Sequence, residues 1–444
     1  MPDISPSPAP RPAAYFVAVH LTLFSALVAL GAFRLQHMSQ GSQLPPLRDT
    51  PLEVLPLYDY DVVIADEQLA RVLARLQLPF DGAETKLNHV DHAMRFWTVA
   101  AASRDEKYMS GEQMRTLLTD SRRFREVYGD KEPLLLMDRA TGVGVRVQEG
   151  NATSSHVDHT LACLAEVGTP LEFPVITERR RTTYRALLLD SLRSFSLNQV
   201  EYEWSGLTYA LLLPPQTTWR TQEGQEMNFE RLADRIMRET LPNGVCFANH
   251  RLYTLVVFLR IDDQMPILSA TKRREIISFL EQMTILLERH QHPDGFWNSD
   301  WPTRIPESST PTKATGDRLS DRILATGHAL EWWAMAPEEL HPGRATLAAG
   351  GQWLVKTIDS LTEEEIRQNY TYLSHAGRAL TLWRAQLPAD VELPAEVAAE
   401  NGTFGYLVRR PSEAVGDGFD GLGGPSYKRG SAQRDRHNDE REQP

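Results

Sequence analysis

Histidine changes charge near neutral pH, so its placement is the first guide to chemistry in this sequence. His89-Val90-Asp91-His92 recurs letter for letter at His156-Val157-Asp158-His159. Each copy opens an apolar run, and further runs of the same kind begin near Trp204, His250, His328 and His375. The segment Gly327-His328-Ala329-Leu330-Glu331-Trp332 is the most suggestive, because His328 and Glu331 at i and i+3 share one helix face. A carboxylate beside an imidazole raises its basicity and fixes its orientation, which suits proton transfer. His328, Glu331 and His375 are therefore the catalytic candidates. His92, Asp158, His159, Glu203, Trp204, His250, Trp332 and Arg378 are the candidates for holding a substrate. Trp204, Trp332 and Trp333 offer flat faces on which a sugar or an isoprenoid can stack.

Plainer readings stand beside these. A His or Asp at the start of a buried helix often only caps it or satisfies a neighbouring loop. Glu201 and Glu203 can be an acid and a base, or simply favourable negative charge at a helix N-terminus, which is the simpler reading. Cys246 and His250 are i and i+4, and the His pairs 89/92 and 156/159 are i and i+3. Two ligands on one helix face can start a zinc site. No stretch has the tight spacing of a metal motif, so the sequence assigns neither a metal nor another cofactor.

These residues need elements to carry them, and the pattern supplies helices. Charged, amphipathic stretches (65–78, 110–127, 181–196, 228–240, 270–289 and 344–360) alternate with stretches poorer in charge (89–101, 156–167, 201–213, 246–261, 325–336 and 371–386). One apolar stripe suits the outside of a ring, and an apolar surface all round suits the inside. Trp204 follows His159 by 45 residues, His250 follows Trp204 by 46, and His375 follows His328 by 47, the spacing of a repeated helical hairpin. Two longer gaps have visible causes. Residues 133–148 read as a β-hairpin, and 298–320 as a long polar loop that can cover a mouth. The prediction is an all-α chain, an (α/α)6 barrel over 58–387, with the polar helix starts around one opening.

The flanks differ in kind. Residues 1–14 are rich in Pro and Ala and are expected to be disordered. Residues 15–34 hold an uncharged run, Tyr15 to Phe33, just long enough to cross a bilayer. We read it as an uncleaved anchor with the bulk of the chain outside the cytoplasm; a secretory signal cleaved near Ala29-Leu30-Gly31 is the rival. Residues 35–57 read as a Pro-punctuated linker, and 388–444 as an extended, mostly disordered tail. A net charge of −12 argues against a nucleic-acid partner. Two cysteines, Cys163 and Cys246, make no disulfide framework.

Two resemblances add to this reading. Gln291-His292-Pro293-Asp294-Gly295-Phe296-Trp297 fits Gln-x3-Gly-x-Trp and resembles the QW repeat of the terpenoid-cyclase and prenyltransferase α/α-toroid superfamily. That resemblance implies a Gln that caps a helix and ties one hairpin to the next. The acid motif Asp-x-Asp-Asp and the zinc-binding Asp-x-Cys of those enzymes are not present. Gly327-His328-x-x-Glu331-Trp332 and His375-x-x-Arg378-Ala379-Leu380 resemble segments of the N-acylglucosamine 2-epimerase family, also (α/α)6 barrels. There the histidines move a proton at a sugar carbon, although in that family a further hairpin separates the two His helices. The expectation is a membrane-anchored barrel that binds a small molecule or glycan and processes it by His/Glu acid–base chemistry. A non-catalytic envelope scaffold and a terpenoid-like protein are the alternatives.

Overall fold

The computed structural model describes residues 12–40, 45–103, 107–147, 150–239, 246–302 and 318–394. Much of the predicted loop 298–320 and nearly all of the predicted tail therefore lie outside the described residues, as does all of a second unit, Arg410–Pro444.

The chain is mostly helical. The helices are α1 (Pro12–Gln40), α2 (Asp66–Arg75), α3 (Leu87–Trp97), α4 (Gly111–Thr119), α5 (Ser121–Tyr128), α6 (His159–Glu166), α7 (Arg185–Ser194) and α8 (Glu203–Leu212). They continue with α9 (Phe229–Arg238), α10 (Asn249–Gln264), α11 (Ala270–His290), α12 (Leu319–Met335), α13 (Arg344–Ser360), α14 (Glu363–Gln368) and α15 (Tyr370–Leu382). Within α1, Tyr15–Ala32 is long and apolar enough to cross a membrane, and none of it is buried.

Six helices contact one another in cyclic order: α3 packs on α6, α6 on α8, α8 on α10, α10 on α12, α12 on α15, and α15 back on α3. These are the six charge-poor stretches of the sequence. Every residue of α8 is buried, and so is all of α12 from Ile323 to Met335. A helix can be buried all round only if it has partners on every side. The charged helices lie behind them: α4 against α3, α9 against α8, α11 against α10, and α13 against α12. Their starts are fixed locally. Ser110, Asn228 and Ser269 each accept a hydrogen bond from a backbone N–H in the first turn of α4, α9 and α11.

Several boundaries differ from the prediction. The stretch 110–127 is two helices, broken at an extended Asp120 whose carboxylate then caps α5. The stretch 181–196 begins as a strand. Strands β1 (Leu136–Asp138) and β2 (Val143–Val145) form the predicted hairpin, pairing Leu136 with Val145. Two short antiparallel pairs were not expected: β3 (Pro174–Ile176) with β4 (Arg181–Thr183), and β5 (Trp219–Arg220) with β6 (Glu226–Met227). Helix α12 begins at Leu319 rather than near 325, so His328 lies in mid-helix.

The expected linker is in part a floor. The backbone N–H groups of Arg48 and Leu52 donate to the carbonyls of Leu212 and Leu211 at the end of α8. Arg260 of α10 donates to the carbonyl of Leu55, and the Tyr58 hydroxyl donates to the carbonyl of Ala336, just past α12. The N–H of Tyr60 donates to the carbonyl of Trp383, just past α15. Residues 48–60 thus satisfy carbonyls and side chains at the C-terminal ends of the inner helices, which a helix leaves unpaired.

The Gln-x3-Gly-x-Trp phrase holds a corner. The Gln291 side chain donates to the carbonyls of Gly295 and of Thr346 in α13, both at 2.9 Å. Trp297 Nε1 donates to the carbonyl of Leu287 in α11 at 2.8 Å. Gly295 has a positive φ of 104°, and a Cβ there would sit 2.3 Å from the carbonyl oxygen of Ala349, so only glycine fits.

Gly327 and Gly377 set the spacing between inner helices. A Cβ on Gly327 would lie 2.9 Å from the backbone nitrogen of Ala376 in α15. A Cβ on Gly377 would lie 2.4 Å from the Phe96 ring of α3. Gly327→Ala is expected to destabilise the chain by about 1–3 kcal/mol through overpacking, a cost that outweighs a helix-propensity gain of roughly 1 kcal/mol. Thermal unfolding of the full chain in mild detergent checks this; a variant as stable as the wild type would mean the two helices can move apart freely.

Candidate functional site

Each of the six inner helices contributes one aromatic ring to a closed circuit. The ring centroids of His92 and His159 are 4.3 Å apart, and those of His159 and Trp204 are 4.5 Å apart. Trp204 lies 4.4 Å from His250, which lies 4.7 Å from His328. His328 lies 4.0 Å from His375, and His375 closes the circuit on His92 at 5.1 Å. None of the six is more than 6% exposed. The predicted convergence of His92, His159, Trp204, His250, His328 and His375 is therefore present, as a buried core rather than an open mouth.

Three carboxylates organise the imidazoles, each serving two. Asp91 takes His92 Nδ1 at 2.8 Å and His159 Nδ1 at 3.1 Å. Glu201 takes His250 Nδ1 at 3.0 Å on one oxygen and His156 Nδ1 on the other. Glu331 takes His328 Nδ1 at 3.0 Å and His375 Nδ1 at 3.4 Å on the same oxygen. A carboxylate on Nδ1 selects the tautomer whose Nε2 lone pair is free. His250 Nε2 and His328 Nε2 are buried without a hydrogen-bond partner. His156 is the most open member of the group, its side chain about a quarter exposed.

One helical turn further along lies a layer of charge. Arg95 follows His92 by three residues, Tyr253 follows His250, Glu331 follows His328, and Arg378 follows His375. Arg95 bonds Glu166 at 2.6 Å and Glu331 at 2.8 Å. Arg378 bonds Glu166 at 3.0 Å and also reaches Glu331. The Tyr253 hydroxyl donates to Glu166 at 2.6 Å and accepts from Arg378 at 2.9 Å. Two guanidinium groups and two carboxylates thus balance one another in the interior.

Burial sets the protonation states. It pushes His159 down to about 4 and His250 down to about 3, lowers His328, and carries His375 well below the usual imidazole value. These four imidazoles are neutral at pH 7. Burial alone would raise Glu331, but Arg95 and Arg378 outweigh it and hold the carboxyl well below its ordinary range. Burial likewise drives the Cys246 and Cys163 thiols well up.

Four predicted binding residues have other roles. Asp158 accepts hydrogen bonds from Ser191 of α7 and Ser205 of α8, a tie between helices rather than a ring position. Burial raises its pKa against those bonds. Glu203 is paired with Arg251 at 2.5 Å. Trp332 is fully buried beside Trp333, whose indole N–H donates to Thr284. Arg378 belongs to the charge layer. The two copies of His-Val-Asp-His are not equivalent. In the first, Asp91 is inside α3 and fully buried. In the second, Asp158 precedes α6 with a left-handed backbone (φ 59°) and turns outward. Capping explains none of the histidines, because α3, α6, α8, α10, α12 and α15 have no side-chain cap bond at their starts.

Asp91, Arg95, Glu166 and Tyr253 are central and were not among the predicted site residues; Glu201, read as a possible acid or base or as helix-start charge, instead holds His250 and His156. The signal for two of them, Arg95 and Tyr253, was present. The i, i+3 spacing that singled out His328 and Glu331 also relates His92 to Arg95 and His250 to Tyr253, and a charge at i+3 recurs at His375 and Arg378.

With this geometry in hand, comparison with known proteins adds nothing to it: no family model, no curated protein and no solved structure matches the chain.

Proposed function

We propose that the chain is a membrane-anchored (α/α)6-barrel protein, its bulk outside the cytoplasm, that binds a small carbohydrate-like ligand and moves a proton on it. The cyclic order of the six inner helices supports the barrel, and the apolar helix Tyr15–Ala32 supports the anchor. One observation carries the chemistry: a single Glu331 oxygen is shared by His328 and His375, whose rings are 4.0 Å apart. Glu331 itself is not the acid, since Arg95 and Arg378 keep it ionised. It orients the imidazoles, and His375 exchanges the proton. The same fact weakens a terpenoid-cyclase reading, which needs a carboxylic acid able to protonate an isoprenoid.

Proton transfer beside a sugar carbonyl leaves a mark in heavy water. The full chain is expected to wash deuterium into the carbon next to the carbonyl of at least one member of a panel of aldoses, ketoses and amino sugars. His375→Ala is expected to slow that exchange by roughly 10²–10⁴-fold. A second reading, a non-catalytic envelope scaffold, is favoured by the burial of all six ring members. No exchange on any sugar of the panel would leave the scaffold standing and remove the catalyst.

A further inference from the structure

We propose that Cys246, His250 and His328 bind one divalent transition-metal ion, zinc by ligand type. The Cys246 sulfur and one ring nitrogen from each histidine lie within 4.8 Å of one another, and all three residues are buried. The free nitrogens are the Nε2 atoms. In both rings Nδ1 is engaged by a carboxylate, Glu201 for His250 and Glu331 for His328, each at 3.0 Å. In both rings Nε2 is buried and has no hydrogen-bond partner. An unpaired buried acceptor costs free energy, and two of them in histidines that cluster with one buried thiol need a common explanation. A metal ion is that explanation. A histidine that ligates a metal through one nitrogen typically donates its other N–H to a carboxylate, which fixes the ring and strengthens the ligand.

The donor set fits zinc. One thiolate and two imidazoles leave a fourth tetrahedral position for water, the pattern of a catalytic rather than a structural zinc. Bond lengths of about 2.0–2.3 Å require donors about 3.3–3.8 Å apart, so the three side chains need to close by only about 1 Å. Cys246 reaches the site from a short 3-10 turn, Cys246–Ala248, joined to α10 by a left-handed Ala248 with φ 68°. His328 arrives from the adjacent helix α12. The other buried clusters are poorer candidates. Asp91 is already taken up by His92, His159, Thr160 and Ser154. One Glu331 oxygen is shared by His328 and His375, and the other meets Arg95 and Arg378, whose charges repel a cation.

Binding replaces the Cys246 S–H bond with a metal–sulfur bond and releases the thiol proton to solvent. The ion then occupies His328 Nε2, and proton transfer in the proposed reaction is left to His375. The metal site does not rest on that reaction, since it stands on its own three donor side chains.

The test uses the full chain in mild detergent, stripped with a chelator and titrated with cobalt(II). One equivalent is expected to bind, with a sulfur-to-cobalt charge-transfer band in the near ultraviolet, and zinc is expected to displace it. Cys246→Ser is expected to abolish the band, and Cys163→Ser to keep it. Failure of the wild type to bind one equivalent, or survival of the band in Cys246→Ser, overturns the proposal. Should Cys246→Ser not fold, maleimide labelling of the wild type decides. Zinc is expected to protect Cys246 in peptide mapping, and equal labelling with and without zinc overturns the site. Deuterium exchange by the stripped chain reports on proton transfer separately from either result.

Discussion

Glu331→Gln is expected to lower the free energy of unfolding by about 3–5 kcal/mol, because it leaves a buried cation without its share of negative charge. Among the described residues, Arg95 and Arg378 are held by two carboxylates, Glu166 and Glu331. Arg95 has a side chain 3% exposed, and Glu331 2% exposed. Neutralising Glu331 keeps its shape but leaves two guanidinium groups against one carboxylate. An exposed pair provides the control. Arg71 and Asp359 meet at 2.8 Å with side chains 42% and 33% exposed, and Asp359→Asn is expected to cost less than about 1 kcal/mol.

The double variant Glu331→Gln/Arg378→Met sharpens the test. It restores a one-to-one pair of Arg95 with Glu166, so it is expected to be more stable than Glu331→Gln alone. That sign reversal is a coupling energy between neighbours, which independent sites do not show. Unfolding of the wild type, Glu331→Gln, Arg378→Met and the double variant by denaturant, followed by tryptophan fluorescence, measures it. A single variant no worse than Asp359→Asn would mean that water reaches the charge layer.

How far this centre was legible follows from which of its parts are local. The choice of one polar or aromatic residue per inner helix is a repeat at hairpin spacing, and it picked out all six ring members. The hairpin 133–148 was equally local. Depth along a helix was not legible. The helix was expected to begin near 325, whereas α12 carries Gly327 in mid-helix, where α15 passes too close for a side chain. The second His-Val-Asp-His looked like the first, yet it lies just ahead of its helix instead of within it, which sends Asp158 outward. Two of the three carboxylate clamps were beyond reach for another reason. Asp91 joins His159, and Glu201 joins His156 and His250, across separations that only the closed ring makes short. Most of the floor, residues 48–57, read as a linker because the partners of that segment lie near residues 211 and 260.

Acid is expected to unfold the chain well before its carboxylates titrate. Burial first, and then the nearby charge of Lys86, push His89 down to about 3; burial puts His159 at about 4 even though Asp91 opposes it. An unfolded histidine takes a proton near pH 6.5. Between pH 6.5 and 4 the unfolded chain therefore binds more protons than the folded one, and stability falls as pH falls. The contribution is complete above pH 6.5 and is lost progressively down to the folded values. Each group gives a slope of about 1.4 kcal/mol per pH unit, so the pair removes on the order of 4 kcal/mol between pH 6 and pH 4. Asp91 extends the loss. Burial would raise it, but His159 and His92 hold it below its ordinary value, so its share is present above that value and disappears below it. Unfolding curves for the full chain at pH 7.5, 6, 5 and 4 give the slope. His159→Asn lowers stability at every pH by losing its bond to Asp91, but it is expected to flatten the slope by about 1.4 kcal/mol per pH unit. An unchanged slope would mean that His159 is already protonated in the fold, with its charge neutralised by Asp91, and stability that rises on acidification would reverse the sign for the whole cluster.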